Sequence, residues 1–442
     1  MSITSAPPPP LHTSSPPPPV QLGKRTRSSL LRRTGRAHSP RYKWGVLGIG
    51  FAAQAGFSIA FQGIPVTGSV MRTAYHLSTG ELGFVLSFMS LGIAASDVVW
   101  GILTDRVGER KVLITGLFGV TIALAACAVF LSPHGSVVPP VAALSAGLLI
   151  AGVLGGSVNG ASGRAIMAWF KKSERGFAIS VRVTAVPAGG AIGAVALPLL
   201  ALHAGFGTMF AVLTGISLIV AVAVYLWLDE PPLQPLSGPA GKNVVTTPNP
   251  LKVMKVWRIA VASGLLNFPQ FIVLTFGSVF LHDVKHVGFG VIAIVVGLVQ
   301  AGGAVGRVWG GRWTDKRGGR LRRTVVKVQA AVVAVGFALI AVLAHGPASV
   351  LVVLITVAGM IACGWHGVAY AEIAEIAGLE RSGTALGLEN TMVFGGAFLT
   401  PILIPPVLSL TGSWGVTLLL LGALPAVLAL VLIPREEKAL AS

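Results

Sequence analysis

The chain has 442 residues, of which 53% are hydrophobic and only 11% are charged, and its mean hydropathy is +0.80. Soluble domains carry about 25% charged residues, so this composition excludes an ordinary soluble protein. The net charge of +18 does not indicate nucleic-acid binding, because the basic residues lie in short clusters between long apolar runs. Runs of about 20 residues match the helix length that crosses a bilayer, so the expected partner is the lipid bilayer and not nucleic acid.

The N-terminal segment differs in composition from the rest of the chain. Residues 1–43 are rich first in Pro and Ser and then in Lys and Arg. Such a segment buries too little apolar surface to fold, and its positive charges are attracted to anionic lipid. We expect a disordered cytosolic tail here and not a cleaved signal peptide, because the following apolar segment is long and lacks an obvious cleavage site.

Twelve apolar segments follow this tail. They lie near residues 44–63, 82–103, 112–131, 141–169, 176–200, 206–228, 259–281, 290–310, 325–344, 350–371, 383–408 and 414–433. A polar linker at residues 229–258 divides them into halves at 44–228 and 259–433, and a short tail covers 434–442. The sequence therefore predicts an all-α polytopic membrane protein with twelve transmembrane helices in two pseudo-symmetric six-helix bundles.

The distribution of Lys and Arg predicts the orientation. With the N-terminus inside, the outer loops hold only Arg72 and Lys285, whereas the inner loops and tails hold the basic clusters. Cytoplasmic loops carry the excess of Lys and Arg in membrane proteins. We expect both termini in the cytoplasm, in an inner membrane of the bacterial type.

A short motif occurs once in each half. The sequence G-I-L-T-D-R-V-G-E-R-K at residues 101–111 joins the second and third segments, and G-R-W-T-D-K-R-G-G-R at 311–320 joins the eighth and ninth. Two glycines and the aspartate between them recur 210 residues later, which indicates a duplication. Asp105 is placed to accept hydrogen bonds at a helix N-terminus, where negative charge is favoured by about 0.3–1 kcal/mol.

The 101–111 motif resembles the signature loop of the major facilitator superfamily, although Glu109 replaces the usual Arg. The second copy and the six-plus-six layout extend this resemblance over residues 44–433. The resemblance implies two bundles around a central cavity that opens alternately to each side. It further implies a monomeric secondary transporter of a small-molecule substrate, without a cofactor. In that family the loop braces the inner gate, a role that the resemblance assigns to Asp105, Arg106 and Asp315.

Four ionisable residues lie well inside the apolar segments: Asp97, Arg182, Arg307 and Glu389. Each charge costs about 2.5–3.5 kcal/mol at mid-bilayer on insertion scales, so each needs a partner or water. Asp97 and Arg307 are equivalent at the 210-residue shift, and Arg182 and Glu389 at a shift of 207. Each equivalent pair has opposite charges. We expect one of these pairs to approach across the pseudo-two-fold axis and to help close the cavity, with a purely structural salt bridge as the alternative.

The sequence around Arg307 resembles the eighth span of oxalate/formate antiporters and monocarboxylate transporters. There the equivalent Arg contacts a carboxylate, which makes Arg307 the preferred substrate-binding candidate. The oxalate carriers also use a Lys in span eleven, where this chain has Glu389, so Arg182 is the candidate for a second positive charge. Burial favours the neutral form of a carboxyl group, so Glu389, with Asp97, is a candidate for carrying a coupling H+.

Uncharged polar residues follow single helix faces in several segments. The face of the first segment carries Gln54, Ser58 and Gln62, and the face of the seventh carries Ser263, Asn267 and Gln270. The resemblance implies that the first and fourth helices of each half line the cavity, which adds Asn159 on span four and His366 and Tyr370 on span ten. The predicted substrate-binding set is thus Arg307, Arg182, Gln54, Ser58, Gln62, Asn159, Asn267, Gln270, His366 and Tyr370. Hydrogen bonding between packed helices is the alternative for these polar residues.

These features favour a transporter of a small organic anion, a monocarboxylate, by proton symport or anion exchange. One alternative is a proton-coupled exporter of hydrophobic or cationic compounds that uses Asp97 and Glu389. Another is a non-transporting membrane sensor or scaffold in which the N-terminal tail is the working part. An enzyme is not expected, because the sequence shows no nucleophile–base arrangement and no metal-spaced cluster.

Overall fold

The computed structural model describes residues 41–135, 137–229 and 248–436. Most of the predicted N-terminal tail (residues 1–40), residues 230–247 of the predicted linker and residues 437–442 of the predicted C-terminal tail lie outside the described residues. Within the described ranges the chain is helical apart from its loops and one isolated bridge between His134 and Val137.

The first half contains the helices of spans one to six. In chain order they are Tyr42–Val66, Thr79–Val107, Glu109–Phe130, Val141–Gly155 with Ser157–Trp169, Arg175–Val183, and Ala185–Trp227, which completes span five and includes span six. A short helix, Gly68–Ala74, follows span one, and a 3₁₀ turn, Lys172–Glu174, precedes span five. Gly205 has φ 79° and ψ 168°, a conformation that residues with a Cβ rarely adopt, and it separates spans five and six.

The second half contains the helices of spans seven to twelve. They are Met254–Phe271 (extended through Ile272–Phe276, Gly277–Val279 and Phe280–Val284), Phe289–Asp315, Arg322–Val342, Ala348–Ala362 with His366–Ala377, Ser382–Thr411, and Trp414–Leu418 with Leu419–Ala423 and Leu424–Leu432. Two 3₁₀ turns, Pro250–Lys252 and Leu379–Arg381, precede spans seven and eleven. Span seven widens into π turns after Pro269, because proline removes a backbone donor and crowds the preceding turn.

The described ranges contain 11 helices that are long and apolar enough to cross a membrane. One of them, Lys172–Trp227, has 56 residues and is interrupted at Gly205, so it accounts for two spans. Large apolar side chains such as Ile122, Phe130 and Trp309 are exposed on the outer helix faces, where a bilayer would cover them. The prediction of an all-α membrane protein with twelve spans is confirmed.

The two halves meet closely at one end of the bundle. We call this end, which holds the loops 101–111 and 311–320, the basic end. Span two packs on span eleven, and span five packs on span eight. The segments of spans four and ten that join this interface are those nearer the basic end, Ser157–Trp169 and His366–Ala377. Their distal segments, Val141–Gly155 and Ala348–Ala362, pack mainly within their own halves, so the halves are closed against each other at the basic end.

Candidate functional site

A cavity lies between the two halves, on the distal side of this contact. Its volume open to water-sized molecules is about 60 Å³. Nine of the ten predicted substrate-binding residues line it: Gln54, Gln62, Asn159, Arg182, Asn267, Gln270, Arg307, His366 and Tyr370. The tenth, Ser58, is buried between spans one and five beside Gly189 and does not line the cavity.

Two arginines are the only charged residues among the described residues that line the cavity. Their exposed fractions are 2% for Arg182 and 3% for Arg307, so both side chains are almost completely enclosed by protein. Arg182 is on span five and Arg307 on span eight, so each half contributes one positive charge. The lining therefore offers a positive environment that can bind an anionic group.

Backbone carbonyls fix the position of both guanidinium groups. Arg182 Nη1 donates to the Asn159 carbonyl oxygen at 2.6 Å and to Ser162 Oγ at 2.7 Å. Arg307 Nε donates to the Cys363 carbonyl oxygen at 2.6 Å, and its Nη1 donates to the Val183 carbonyl oxygen at 3.2 Å. Neutral acceptors hold each group in place without cancelling its charge, so both arginines remain available to an anion.

The two acidic residues, Asp97 and Glu389, lie behind the lining of the cavity. Asp97 accepts hydrogen bonds from Asn159 Nδ2 at 3.1 and 3.2 Å. Glu389 Oε1 accepts from Ser263 Oγ at 2.7 Å, and Oε2 has no partner among the described residues. Both carboxyl groups are thus enclosed by protein and held by neutral donors.

Neither of the charge pairs expected from the duplication forms an ion pair in the part of the chain that the structure describes. Arg182 nevertheless interacts electrostatically with both Asp97 and Glu389. The expected direct closure of the cavity by these charges is therefore absent from this conformation. The halves are held together by residues nearer the basic end.

The Asp105 carboxylate, in the first half, contacts the start of span eleven in the second half. It accepts hydrogen bonds from the backbone N–H of Gly383 at 2.9 Å and of Thr384 at 2.7 Å, and from Thr384 Oγ1 at 2.6 Å. Gly101, one turn earlier, lies so close to span eleven that a Cβ there would collide with the Gly383 carbonyl oxygen. The carboxylate thus occupies the helix N-terminus, where negative charge is favoured.

The Asp315 carboxylate makes the equivalent contact in the opposite direction. It accepts from the backbone N–H of Gly176 at 3.1 Å and of Phe177 at 2.8 Å, at the start of span five. Arg322 Nη2 donates to the same carboxylate at 2.9 Å in a buried ion pair. A Cβ at Gly311 would collide with the Gly176 carbonyl oxygen. The two motif copies therefore bind the two halves to each other with one repeated device.

Arg106, the third residue for which a gate role was expected, is exposed, and its side chain has no ion pair or hydrogen bond to the residues that the structure describes. Arg164, at the end of span four, stands near Asp105 instead, with Nε at 3.4 Å from Oδ1. Arg164 also pairs with Glu109, the residue that departs from the family pattern. Sequence reasoning did not select Arg164, although the unusual acid at position 109 indicated that a basic partner was needed.

Two further polar residues of the lining, Gln300 and Asn390, were also missed. Gln300 precedes Arg307 by seven residues on span eight, two helical turns, so the face of Arg307 could have indicated it. Asn390 follows Glu389 directly, and its Oδ1 accepts from Tyr370 OH at 2.5 Å. The aromatic rings of Phe61 and Phe394, from opposite halves, meet at 5.2 Å at the edge of this site.

Comparison with known proteins identifies relatives over most of the chain. The model of the Major Facilitator Superfamily matches residues 46–401. An uncharacterized MFS-type transporter of Mycobacterium tuberculosis (strain CDC 1551 / Oshkosh) is 32% identical over 354 residues, which cover 79% of this chain and 76% of the relative. The "Probable sulfoacetate transporter SauU" of Cupriavidus necator is 26% identical, over 83% of this chain and 87% of the relative. The hexuronate transporter of Bacillus subtilis is 23% identical, over 81% and 86%.

Solved structures share the fold. The transporter FucP in its outward conformation has a TM-score of 0.66 at 16% identity, covering 89% of this chain and 99% of FucP. The proton:xylose symporter XylE has a TM-score of 0.70 at 15% identity, covering 89% of this chain and 96% of XylE. The twelve spans, the duplicated loop and the family match together show a secondary transporter and not an enzyme: the chain belongs to the Major Facilitator Superfamily.

Proposed function

We propose that this chain transports a small organic anion by alternating access, with Arg182 and Arg307 binding the anionic group. The observation that carries the proposal is the charge of the cavity lining: within the described residues it contains two arginines and no acid. Guanidinium groups bind carboxylates through directed, charge-assisted hydrogen bonds, which are stronger than those between neutral groups. A cationic substrate would be repelled by the same lining.

The names of two relatives support an anionic substrate. Sulfoacetate and hexuronate, the solutes in the names of the Cupriavidus and Bacillus relatives, are both organic acids. Each relative matches more than four fifths of this chain, so the alignment extends over both halves. We therefore place the substrate of this chain among small carboxylates and related anions, with a monocarboxylate as the simplest member.

The contacts at the basic end supply the proposed gate. Asp105 and Asp315 join each half to a helix N-terminus of the other, and these bonds must break before the cavity can open toward that end. The excess of Lys and Arg at this end supports a cytoplasmic location for it. In this assignment the structure is closed to the cytoplasm, and both chain termini are cytoplasmic.

Glu389 is the proposed site of the coupling proton. Its carboxyl group is enclosed, is bonded to Ser263 and interacts electrostatically with Arg182. An ionised Glu389 competes with the substrate anion for the positive charge of Arg182. Protonation removes this competition, so proton and anion bind together and move together. Anion exchange is the form of transport expected if Glu389 keeps one protonation state throughout the cycle.

Uptake into proteoliposomes tests the proposal. Purified protein is reconstituted, and accumulation of a panel of radiolabelled carboxylates is measured with and without an inward proton gradient, with protein-free liposomes as the control. Gradient-stimulated uptake of one member supports proton symport, and uptake that requires internal anion supports exchange. Absence of uptake of every anion by folded protein would overturn the proposed substrate class.

A further inference from the structure

Three side-chain oxygens, each on a residue that lines the cavity, have no hydrogen-bond donor among the described residues. They are Gln54 Oε1 on span one, and Asn267 Oδ1 and Gln270 Oε1 on span seven. The exposed fractions of these side chains are between 1% and 6%, so each oxygen is almost enclosed by protein. Both halves thus contribute residues with an unused acceptor to the lining that contains the two arginines.

The orientation of the Asn267 amide follows from its neighbours. Its Nδ2 donates to the Val393 carbonyl oxygen at 2.7 Å, so the other end of the amide is the oxygen. Asn390 provides a contrast within the same lining. Its Oδ1 accepts from Tyr370 OH and its Nδ2 donates to the Leu386 carbonyl oxygen at 2.8 Å, so both ends have protein partners. Hydrogen bonds within the protein therefore account for the whole Asn390 amide, whereas the Asn267 oxygen is left without a donor among the described residues.

A buried acceptor without a donor is unfavourable, and such groups in native proteins are generally satisfied by protein, water or ligand. Water can serve this purpose before a solute binds. A solute that displaces the water must donate hydrogen bonds itself, or affinity is lost. The three oxygens therefore select for a solute that has donor groups in addition to its anionic group.

We infer that the anion carried by this transporter is hydroxylated: a small hydroxy acid or sugar acid whose carboxylate binds Arg182 and Arg307 and whose hydroxyl groups donate to the amide oxygens of spans one and seven. This inference rests on the proposed function. An ammonium group would also donate, but two arginines without an acid in the described lining disfavour a cation. The volume of about 60 Å³ holds roughly four to six water molecules, which suits a short-chain acid.

A series of three-carbon acids tests the inference. Propionate, lactate and glycerate share one skeleton and one carboxylate and carry zero, one and two hydroxyl groups, and glycerol is the neutral control. Gluconate and hexanoate provide the same contrast with six carbons. We expect the apparent affinity, measured by uptake into proteoliposomes and by thermal stabilisation of the purified protein, to rise with hydroxyl number by about 3- to 10-fold per matched group.

The outcomes separate the two proposals. Propionate or hexanoate carried as well as its hydroxylated counterpart would overturn the inference and leave anion transport intact. Glycerol carried in preference to the acids would overturn the proposed function itself. If folded protein neither binds nor carries a member of either series, both proposals are wrong.

Two glutamine variants test whether the preference for hydroxylated acids arises in the cavity. Gln270→Met removes the acceptor and keeps the chain length, and it should lower the preference for glycerate over propionate by about 3- to 10-fold. Gln329→Met is the matched control, because Gln329 Oε1 is also buried without a partner but lies on span nine outside the cavity lining. An unchanged preference in Gln270→Met, or an equal loss in Gln329→Met, would contradict the inference.

Discussion

The two motif copies at the basic end differ from the charged residues nearer the cavity in how closely equivalent positions of the two halves match. At the basic end, equivalent positions hold the same residue and make the same contact, as Asp105 and Asp315 show. One or two turns deeper, equivalent positions hold opposite charges: Asp97 matches Arg307, and Arg182 matches Glu389. The contact that joins the halves is symmetric, whereas the charges around the proposed solute site are not.

This difference follows from the tasks of the two regions. Both halves must attach to each other at the basic end, and a carboxylate at a helix N-terminus performs this task equally well in either direction. The proposed substrate is an anion, so its site needs positive charge in the lining and the acids elsewhere. The charge reversal places one arginine from each half in the cavity lining and one acid from each half behind it.

Removing an arginine is the most direct way to test the asymmetric site, and we expect the largest effect from it. Arg307→Ala should reduce anion uptake by about 30-fold or more, since truncating a buried, hydrogen-bonded charge costs about 2–5 kcal/mol. Initial uptake rates in proteoliposomes measure the loss. Arg307→Lys keeps the charge but loses the planar donor geometry, so it should recover only part of the activity.

Folding must be monitored in the same variants, by size-exclusion profile and thermal unfolding. Arg307 also donates to the Cys363 and Val183 carbonyl oxygens, so its loss affects packing between spans five, eight and ten. Wild-type uptake by folded Arg307→Ala protein would disprove the assignment of this residue to the anion.

Glu389→Gln tests whether the acid behind the lining couples a proton to transport. Glutamine imitates the protonated carboxyl group and can still accept from Ser263. With a one-to-one symport, a gradient of two pH units supports about 100-fold accumulation, because each pH unit is worth about 1.36 kcal/mol. We expect this accumulation to fall to about one in the variant, while exchange of internal for external anion continues.

The comparison of driven accumulation with exchange in one preparation provides the control. A general folding defect would reduce both activities together. If Glu389→Gln still accumulates anion against its gradient, the proton is carried by another group or exchange is the native mode.

The sequence was sufficient to predict the fold and the position of the cavity, and the reasons are physical. Span length, Lys and Arg placement and the repeated loop are local features that the bilayer enforces. Arg182 and Arg307 were identified because charge inside an apolar span is rare and needs a role. Their partners could not be predicted, because hydrogen bonds such as that from Arg307 to the Cys363 carbonyl depend on tertiary packing between distant segments.

The basic end illustrates the same limit. The duplicated Asp105 and Asp315 were visible in the sequence, but their neighbours differ between the halves. Glu109 pairs with Arg164 in the first half, and Arg323 pairs with Glu372 in the second, so the acid and the base have exchanged helices. No single-position pattern predicts such an exchange, since it appears only when spans three and four are compared with spans nine and ten in space.

The close helix approach at the basic end can be tested in both halves. In Gly101→Ala and Gly311→Ala the new methyl group would meet the Gly383 and Gly176 carbonyl oxygens, so the halves must separate. Overpacking costs about 1–3 kcal/mol, which should raise the population open at the basic end by about 5- to 150-fold. Spin labels at Lys111→Cys and Arg320→Cys, both exposed positions, measure the distance between the halves.

Matched controls lie on the same two helices. A Cβ at Gly83 on span two or at Gly297 on span eight would meet nothing within 4 Å, so alanine there should leave the distance distribution unchanged. The native cysteines, Cys127 and Cys363, are buried, which favours labelling of the introduced ones. Equal shifts in the Gly101 and Gly83 variants would refute the role of the close approach.

The smallest expected effects come from Asp105→Asn and Asp315→Asn, and their ratio sharpens the comparison between the halves. Each change removes a charge from a helix N-terminus, an interaction worth about 0.3–2 kcal/mol, so the open population should rise roughly 2- to 30-fold by the same spin-label distance. Asp315→Asn should have the larger effect, because it also leaves the buried Arg322 without its anionic partner, whereas Arg164 retains Glu109. The two sites share no partner, so the double variant should show additive free energies. A larger effect at Asp105 would mean that the Thr384 hydroxyl, and not the ion pair, determines the strength of each contact.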